Sequence, residues 1–296
     1  MAQPITAATA LVGVLGDPVR HSLSPVMHNA ALAALGLDWV YLALPAPADR
    51  LAAAVEGLAA LGCRGLNVTI PHKQAVAALC RELSPLAERL GAVNTLVPLA
   101  GGGWRGTNTD VEGFLAPLRT GGGTATWSGR QAVVLGCGGS ARAVVAALVE
   151  LGMDAITVSG RRAEAVAGFV ASCRAWAPQL RGLDWQELDG ALGQAALLVN
   201  TTPVGMAASS DPGAAERCPL SATQLDALPS GATVYDLIYT PRPTALLRAA
   251  AARGCPVLDG LEMLVQQGAA SLRLWSGRPD VPVEAMRAAA AAALGS

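Results

Sequence analysis

Charge is scarce in this chain. Asp, Glu, Lys and Arg make up 15% of its 296 residues, and 21 basic side chains nearly cancel 22 acidic ones, for a net charge of -1. Such a balance gives no electrostatic footprint for nucleic acid or an anionic membrane surface, so any anionic ligand must be held by a few placed groups. Low charge beside 52% hydrophobic residues also excludes a disordered chain. No charge-free run of about 18 apolar residues occurs, which argues against a transmembrane helix; much of the hydrophobic share is alanine, a helix former. Residues 1–10 lack a basic segment followed by an apolar core, so no secretory leader is expected. Histidine occurs only at His21, His28 and His72, none spaced with a cysteine pair, and no metal site is expected. The six cysteines (Cys63, Cys80, Cys137, Cys173, Cys218, Cys255) form no C-x-x-C pair. They read as reduced, buried thiols of a cytoplasmic protein. Internal repeats and low-complexity linkers are absent.

What is present is alternation. Short apolar runs exchange with alanine-rich stretches, which predicts an α/β fold of parallel sheets covered by helices, and the length favours two domains. Strands are expected over residues 8–16, 39–44 and 65–70, with 91–98 and 103–107 as a further strand and a turn back. Helices are expected over 24–35 and 48–61, with another starting at Lys73. A Gly/Thr-rich loop, Thr120–Gly129, separates this set from a second. There, strands are expected over 131–135, 155–159, 196–200, 233–237 and 256–259, and helices over 140–151, 163–174 and 244–253. The end, 263–293, reads as helix broken at Gly277–Pro282. Boundaries fall near Asp110 and Gly260.

The strand at 131–135 runs into Gly136-Cys137-Gly138-Gly139-Ser140-Ala141, which opens a helix and fits G-x-G-x-x-G/A. The first glycine makes a tight turn, and the second lets backbone approach a pyrophosphate. The small third residue lets helix and strand pack, and helix N-terminal amides meet the phosphate charge. A plain strand-to-helix turn is the competing reading, which the strand–helix–strand setting disfavours. The next strand ends Val158-Ser159-Gly160-Arg161-Arg162, with no carboxylate to hold ribose hydroxyls and two guanidiniums suited to a 2′-phosphate. NADP is therefore expected rather than NAD.

The first half carries four polar clusters: Ser22-Leu23-Ser24-Pro25 ahead of His28 and Asn29, Asn67 to Lys73, Gly91 to Thr95, and Gly106 to Asp110. Singly each has a plain structural reading. Ser24 caps a helix, Asn67 and Thr69 end a strand, and Asp110 is an N-cap. Lys73 as a surface residue opening a helix would oppose the helix dipole.

Together these segments, S-L-S-P-x-x-H-N, N-V-T-x-P-x-K, G-A-V-N-T and G-x-N-T-D, resemble the shikimate dehydrogenase family in content and order. The second half continues the likeness with Gly136–Arg142 (G-x-G-G-x-x-R), Asn200–Met206, Tyr235–Pro241 and Gly260–Gln267, so it spans about Leu11 to Gly277. The resemblance implies an N-terminal α/β substrate domain (1–110 with 260–296), a Rossmann-like NADP-binding domain (111–259) and a cleft between them. It implies NADPH-dependent reduction of 3-dehydroshikimate to shikimate by a monomer or homodimer. Lys73 and Asp110 would be the catalytic pair. Ser22 and Ser24 would hold the substrate carboxylate. Asn67, Thr69, Asn94, Asp110 and Gln267 would bind ring hydroxyls, with Tyr239 nearby. Gly136, Gly138, Gly139, Ser140, Ala141, Arg161, Arg162, Thr201, Met206, Leu237 and Gly260 would contact the cofactor. The chemistry agrees: ketone reduction puts negative charge on oxygen, which a nearby ammonium stabilises and protonates.

Two departures stand out. Where the family commonly has Asn-Arg-Thr, this chain has Gly160-Arg161-Arg162, losing an amide and gaining a charge; and an aromatic after the Gln267 segment is replaced by Leu272. The alternatives are a quinate/shikimate enzyme using NAD, or a dinucleotide-binding module without turnover.

Overall fold

The computed structural model describes residues 4–120, 127–207 and 211–295. Strands and helices alternate along the chain. The first part holds β1 (Ala10–Gly16), α1 (Ser24–Ala34), β2 (Trp39–Pro45), α2 (Leu51–Ala60) and β3 (Gly65–Val68). It continues with β4 (Glu82–Leu83), α3 (Pro85–Leu90), β5 (Thr95–Pro98), β6 (Trp104–Thr107) and α4 (Asp110–Thr120). The middle holds β7 (Gln131–Leu135), α5 (Gly139–Glu150), β8 (Ala155–Ser159), α6 (Ala163–Cys173), β9 (Leu180–Leu183), α7 (Leu188–Leu192) and β10 (Leu197–Asn200). Then come α8 (Ala222–Ala227), β11 (Thr233–Asp236), α9 (Ala245–Ala252), β12 (Val257–Leu258), α10 (Leu261–Ser276) and α11 (Val283–Ala293). Two compact units result: residues 1–113 with 264–296, and residues 114–263.

In unit 1 the sheet order is β2-β1-β3-β5-β6-β4. The β1 run from Leu11 to Leu15 is apolar throughout because parallel neighbours flank it on both sides. The sheet is mixed, not wholly parallel as the alternation suggests, since β5 runs antiparallel to β3 and β6. A short β5–β6 connection through Gly102 and Gly103, both at positive φ, permits that reversal. The core gathers Leu15, Leu66, Val68, Val76, Leu96 and Trp104. Gly65 is obligatory here: a Cβ at 65 would lie 2.3 Å from the Trp275 indole, whose Nε1 donates to the Leu96 carbonyl at 3.0 Å. On the free side of β2, the Asn29 amide donates to the Tyr41 carbonyl and accepts from its N–H, both at 2.9 Å. Helix α11 packs on α1, so the tail belongs to this unit.

Three local expectations need correction. The segment 91–98 is not one strand. Ser84 caps α3 by accepting from the Ala87 N–H, Pro85 takes its first turn, and Gly91 ends it at φ 58°. Lys73 does not open a regular helix: residues 71–74 are turns ahead of a 3₁₀ stretch, Ala75–Leu79. The buried His72 ring anchors these turns on the Ala46 carbonyl. Of the loop expected over Thr120–Gly129, residues 121–126 lie outside the described ones, and Thr120 closes α4.

Unit 2 has the order β12-β11-β10-β7-β8-β9, all parallel, with the glycine turn leaving its central strand β7. Its core includes Val133, Leu135, Leu198, Val234 and Leu246. Order reverses beside β7, where open α/β sheets bind ligands at strand carboxyl ends. Strand β9 escapes sequence inspection because Leu-Arg-Gly-Leu is short and sits at an edge.

Candidate active site

In unit 1 the carboxyl end of β3, the loop before β5 and the start of α4 bring four of the sequence-selected side chains together. Lys73 Nζ donates to Asp110 Oδ2 at 2.7 Å, an ion pair with side chains only 15% and 6% exposed. Asn94 Nδ2 donates to the other oxygen, Asp110 Oδ1, at 2.8 Å, and lies 3.4 Å from Gln267 Oε1. The carboxylate is therefore held from two sides, with its backbone N–H donating to Asn108 Oδ1 at 3.0 Å. Asn108 in turn donates to the Ala92 carbonyl, and the Val93 N–H to that of Lys73. Asp110 opens α4, as its capping chemistry suggests, yet its side chain serves the pair rather than the helix.

Asn67, at β3, is buried, with hydrogen-bond partners on both ends of its amide. Its Oδ1 accepts from the Tyr41 hydroxyl at 2.8 Å, and Nδ2 donates to Ser271 Oγ at 2.9 Å and Thr95 Oγ1 at 3.2 Å. Thr69 is half-buried, its methyl against Gly16, where a Cβ would come within 2.4 Å. Ser22 Oγ accepts from the Ser24 N–H at 3.2 Å, shaping the turn into α1. Burial pushes the Tyr41 phenol upward, opposed in part by its hydrogen bond with the Ser24 side chain. His28 is fully buried, stacked on Tyr41 at 4.1 Å, and Nδ1 meets the Ser24 carbonyl at 2.9 Å. Burial brings its pKa down to about 4, so near neutral pH it is an uncharged packing group.

Unit 2 carries the other selected residues. Gly136 has φ 103°, and a Cβ there would meet Thr201 Oγ1 at 2.6 Å, so only glycine fits this turn. Before Gly138 nothing lies within 4 Å of a Cβ position, which leaves room for a phosphate to approach the backbone where α5 begins, at Gly139, Ser140 and Ala141. The donor set and the open cradle fit a dinucleotide pyrophosphate. Arg161 and Arg162 are exposed at the end of β8, just ahead of α6. Thr201 spends its hydroxyl on the Leu135 carbonyl at 2.8 Å, so it fastens the loop after β10 to the glycine turn. Met206 is exposed. Leu237 and Gly260 touch through backbone, since a Cβ on Gly260 would lie 2.0 Å from the Leu237 carbonyl oxygen. Tyr239 is half-buried in unit 2, while the cluster around Lys73 is in unit 1.

Sequence reading overlooked two groups of polar partners. Tyr41, Thr95, Thr109 and Ser271 support the amides of Asn67 and Asn94. The available signal is Ser271, four residues after Gln267 on one helix and hence on the same face. The second group is Asp236, whose Oδ1 accepts from Asn200 Nδ2 at 3.0 Å and from the Ile238 N–H at 3.2 Å. Its Oδ2 accepts from Thr244 Oγ1 at 2.7 Å. Asn200 Oδ1 also accepts from the N–H and hydroxyl of Thr202, so the network shapes the Asn200–Met206 loop.

Burial raises the Asp236 carboxyl from 3.8 to about 6 against its three hydrogen bonds, with Asp259 adding to the rise. The proton is bound more tightly in the folded state, so its stabilisation is fully present below pH 3.8 and lost as pH rises through about 6. Asn at 236 mimics the protonated form, with Nδ2 facing Thr244. Urea unfolding across pH 4–7.5 should show a falling component of about 3 kcal/mol in the parent protein that Asp236→Asn lacks. Parallel curves for the two proteins would contradict this.

Among the described residues no group of three His, Cys, Asp or Glu side chains could hold a metal, and no helix is long and apolar enough to cross a membrane.

Comparison with known proteins covers both units. Residues 14–96 match the shikimate dehydrogenase substrate binding domain, and residues 260–291 the shikimate 5′-dehydrogenase C-terminal domain. A shikimate dehydrogenase (NADP(+)) of Synechococcus sp. (strain JA-3-3Ab) is 52% identical over 291 residues, 98% of this chain and 96% of the relative. The crystal structure of shikimate 5-dehydrogenase from Thermus thermophilus with NADP(H) and shikimate superposes with a TM-score of 0.82. Its identity is 38%, over 96% of this chain and 100% of that one. Quinate dehydrogenase from Corynebacterium glutamicum in complex with NAD gives 0.84 at 32% identity, over 95% and 98%.

Proposed function

This chain belongs to the shikimate dehydrogenase family, and from that premise we propose how its own residues divide the work. The activity is the NADP-dependent interconversion of 3-dehydroshikimate and shikimate, an oxidoreductase step of the shikimate pathway to aromatic amino acids. Unit 1 takes the substrate and unit 2 the cofactor. The observation that carries the reading is the buried Lys73–Asp110 pair with Asn94 on its second oxygen.

The Lys73 ammonium faces the ketone oxygen, stabilises the negative charge that grows there and passes it a proton. Asp110 keeps the ammonium oriented and charged. In the oxidative direction the same pair receives the hydroxyl proton. NADPH, when bound in unit 2, would supply the hydride. The hydroxyls of Ser22 and Ser24 bind the substrate carboxylate. Asn67, Thr69, Asn94, Asp110 and Gln267 bind ring hydroxyls, and Tyr239 is a further substrate-binding residue. In unit 2, Gly136, Gly138, Gly139, Ser140 and Ala141 would hold the pyrophosphate and Arg161 and Arg162 the 2′-phosphate, and Thr201, Met206, Leu237 and Gly260 would also contact the cofactor. Six free thiols support a reducing, cytoplasmic setting, and the protein works as a monomer or homodimer.

Initial rates with shikimate and quinate, each with NADP⁺ and NAD⁺, test the reading. The shikimate–NADP⁺ combination is expected to exceed the other three in kcat/KM by at least about tenfold. A preference for quinate with NAD⁺ would move the chain to the quinate side of the family. NADPH binding without turnover would make it a non-catalytic module.

A further inference from the structure

We propose that Ser271 is a positioning residue for substrate binding that acts through Asn67, an inference that rests on the assignment of Asn67 to the substrate. Ser271 is fully buried on α10. Its hydroxyl donates to the Gln267 carbonyl one turn back at 3.0 Å and accepts from Asn67 Nδ2 at 2.9 Å. It also meets the Thr95 hydroxyl at 2.9 Å and the Thr109 hydroxyl at 3.2 Å. A serine hydroxyl has one proton and two lone pairs, and each finds a use here.

The orientation of the Asn67 amide follows from its surroundings. The Asn94 backbone carbonyl, which only accepts, lies 3.3 Å from Nδ2, so the nitrogen must face that side. The Tyr41 hydroxyl, 2.8 Å from Oδ1, supplies a proton on the other. Ser271, Thr95 and the Asn94 carbonyl therefore take both amide protons, while Oδ1 keeps a lone pair. Asn67 thus meets a ligand as an acceptor, suited to a hydroxyl that donates. Tyr41 is itself pinned, its main chain by Asn29 and its ring by His28. Without the Ser271 oxygen one amide proton loses its best acceptor inside a dry site. Thr95 at 3.2 Å and the Asn94 carbonyl at 3.3 Å remain as longer acceptors, so the amide keeps its orientation but is held less tightly, and its Oδ1 is less well placed for a substrate hydroxyl.

Ser271→Ala and the near-isosteric Ser271→Cys separate the hydroxyl from the volume it fills. Both are expected to raise KM for shikimate about tenfold, the size of one weakened buried hydrogen bond. KM for NADP⁺ should stay within about twofold, since no ground-state contact to the cofactor is removed. In an Asn67→Ala background the Ser271 substitution should add little, because its route to the substrate is gone. If Ser271→Ala fails to fold, Ser271→Cys carries the test. An unchanged KM with either folded variant overturns the inference, as does a Ser271 effect that persists in full on Asn67→Ala. If Asn67→Ala itself leaves KM for shikimate unchanged, the substrate assignment of Asn67 fails and this inference with it. A raised KM there beside a normal Ser271 variant refutes the positioning role alone.

Discussion

Lys73→Met is expected to lower kcat by about 10³-fold, the range for removing a proton donor that also stabilises a developing oxyanion. Methionine keeps much of the stem and removes only the charged, donating head, so KM for shikimate should move far less than kcat. Two of the contacts that hold Asp110 do not involve Lys73: it accepts from Asn94 Nδ2 at 2.8 Å, and its N–H donates to Asn108 Oδ1. The loss is then confined to the reacting oxygen rather than spread through the fold. Asp110→Asn offers the complementary experiment, since it leaves an acceptor for Lys73 but no negative charge. It should reduce kcat by a smaller factor, about 10²-fold, because the ammonium remains while its orientation and charge are less well supported. Steady-state kinetics with a circular dichroism check on folding measures both. Near-normal turnover in Lys73→Met would remove that lysine from the chemistry.

The second large effect concerns the cofactor. Replacing Arg161 and Arg162 together by alanine should raise KM for NADP⁺ about 100-fold, because each guanidinium offers paired, charge-assisted hydrogen bonds to a dianionic phosphate. KM for NAD⁺, which has no 2′-phosphate, should hardly change. The contrast between cofactors separates lost recognition from general damage to unit 2. The parent enzyme should also lose affinity for NADP⁺ as salt rises, since both arginines are exposed. The double variant should be nearly insensitive. Equal losses with NADP⁺ and NAD⁺ would refute the 2′-phosphate assignment. The two single variants weigh the guanidinium at Arg161 against the extra one at Arg162.

The parallel sheet of unit 2 is legible in the sequence because each of its inner strands is a short apolar run ending in glycine or polar residues. Leu135 followed by Gly136 gives both the strand end and the turn. Unit 1 is harder to read. The glycine run 101–103 marks the turn back between β5 and β6, but nothing in the sequence shows that β5 also runs antiparallel to β3. Helix α3 hides because Ser84-Pro85 is its main signal and its six residues are too few to show a period. At the site, Lys73 and Asp110 can be selected by chemistry, yet their meeting depends on a turn and a helix start 37 residues apart. Thr95 and Thr109 fall inside the polar clusters but gain no role from them, and Tyr41 lies outside them altogether. Each is a common residue in a common place, and only packing gives its oxygen a partner.

The Asn29 amide on the outer side of β2 also bears on what the protein avoids. Side-chain amides have the same donor and acceptor as a peptide group, so Asn29 occupies Tyr41 as a neighbouring strand would. Residues of a strand alternate in direction, so Trp39, Ala43 and Pro45 share that outer side, and Pro45 has no N–H to offer. A passing extended peptide would find a ladder interrupted in its middle and closed at one end. At high concentration, such as during synthesis, this border resists joining to another chain's sheet, and fibrous association by that route is suppressed. The asparagine that holds the Tyr41 main chain thus also blunts the open edge of the sheet.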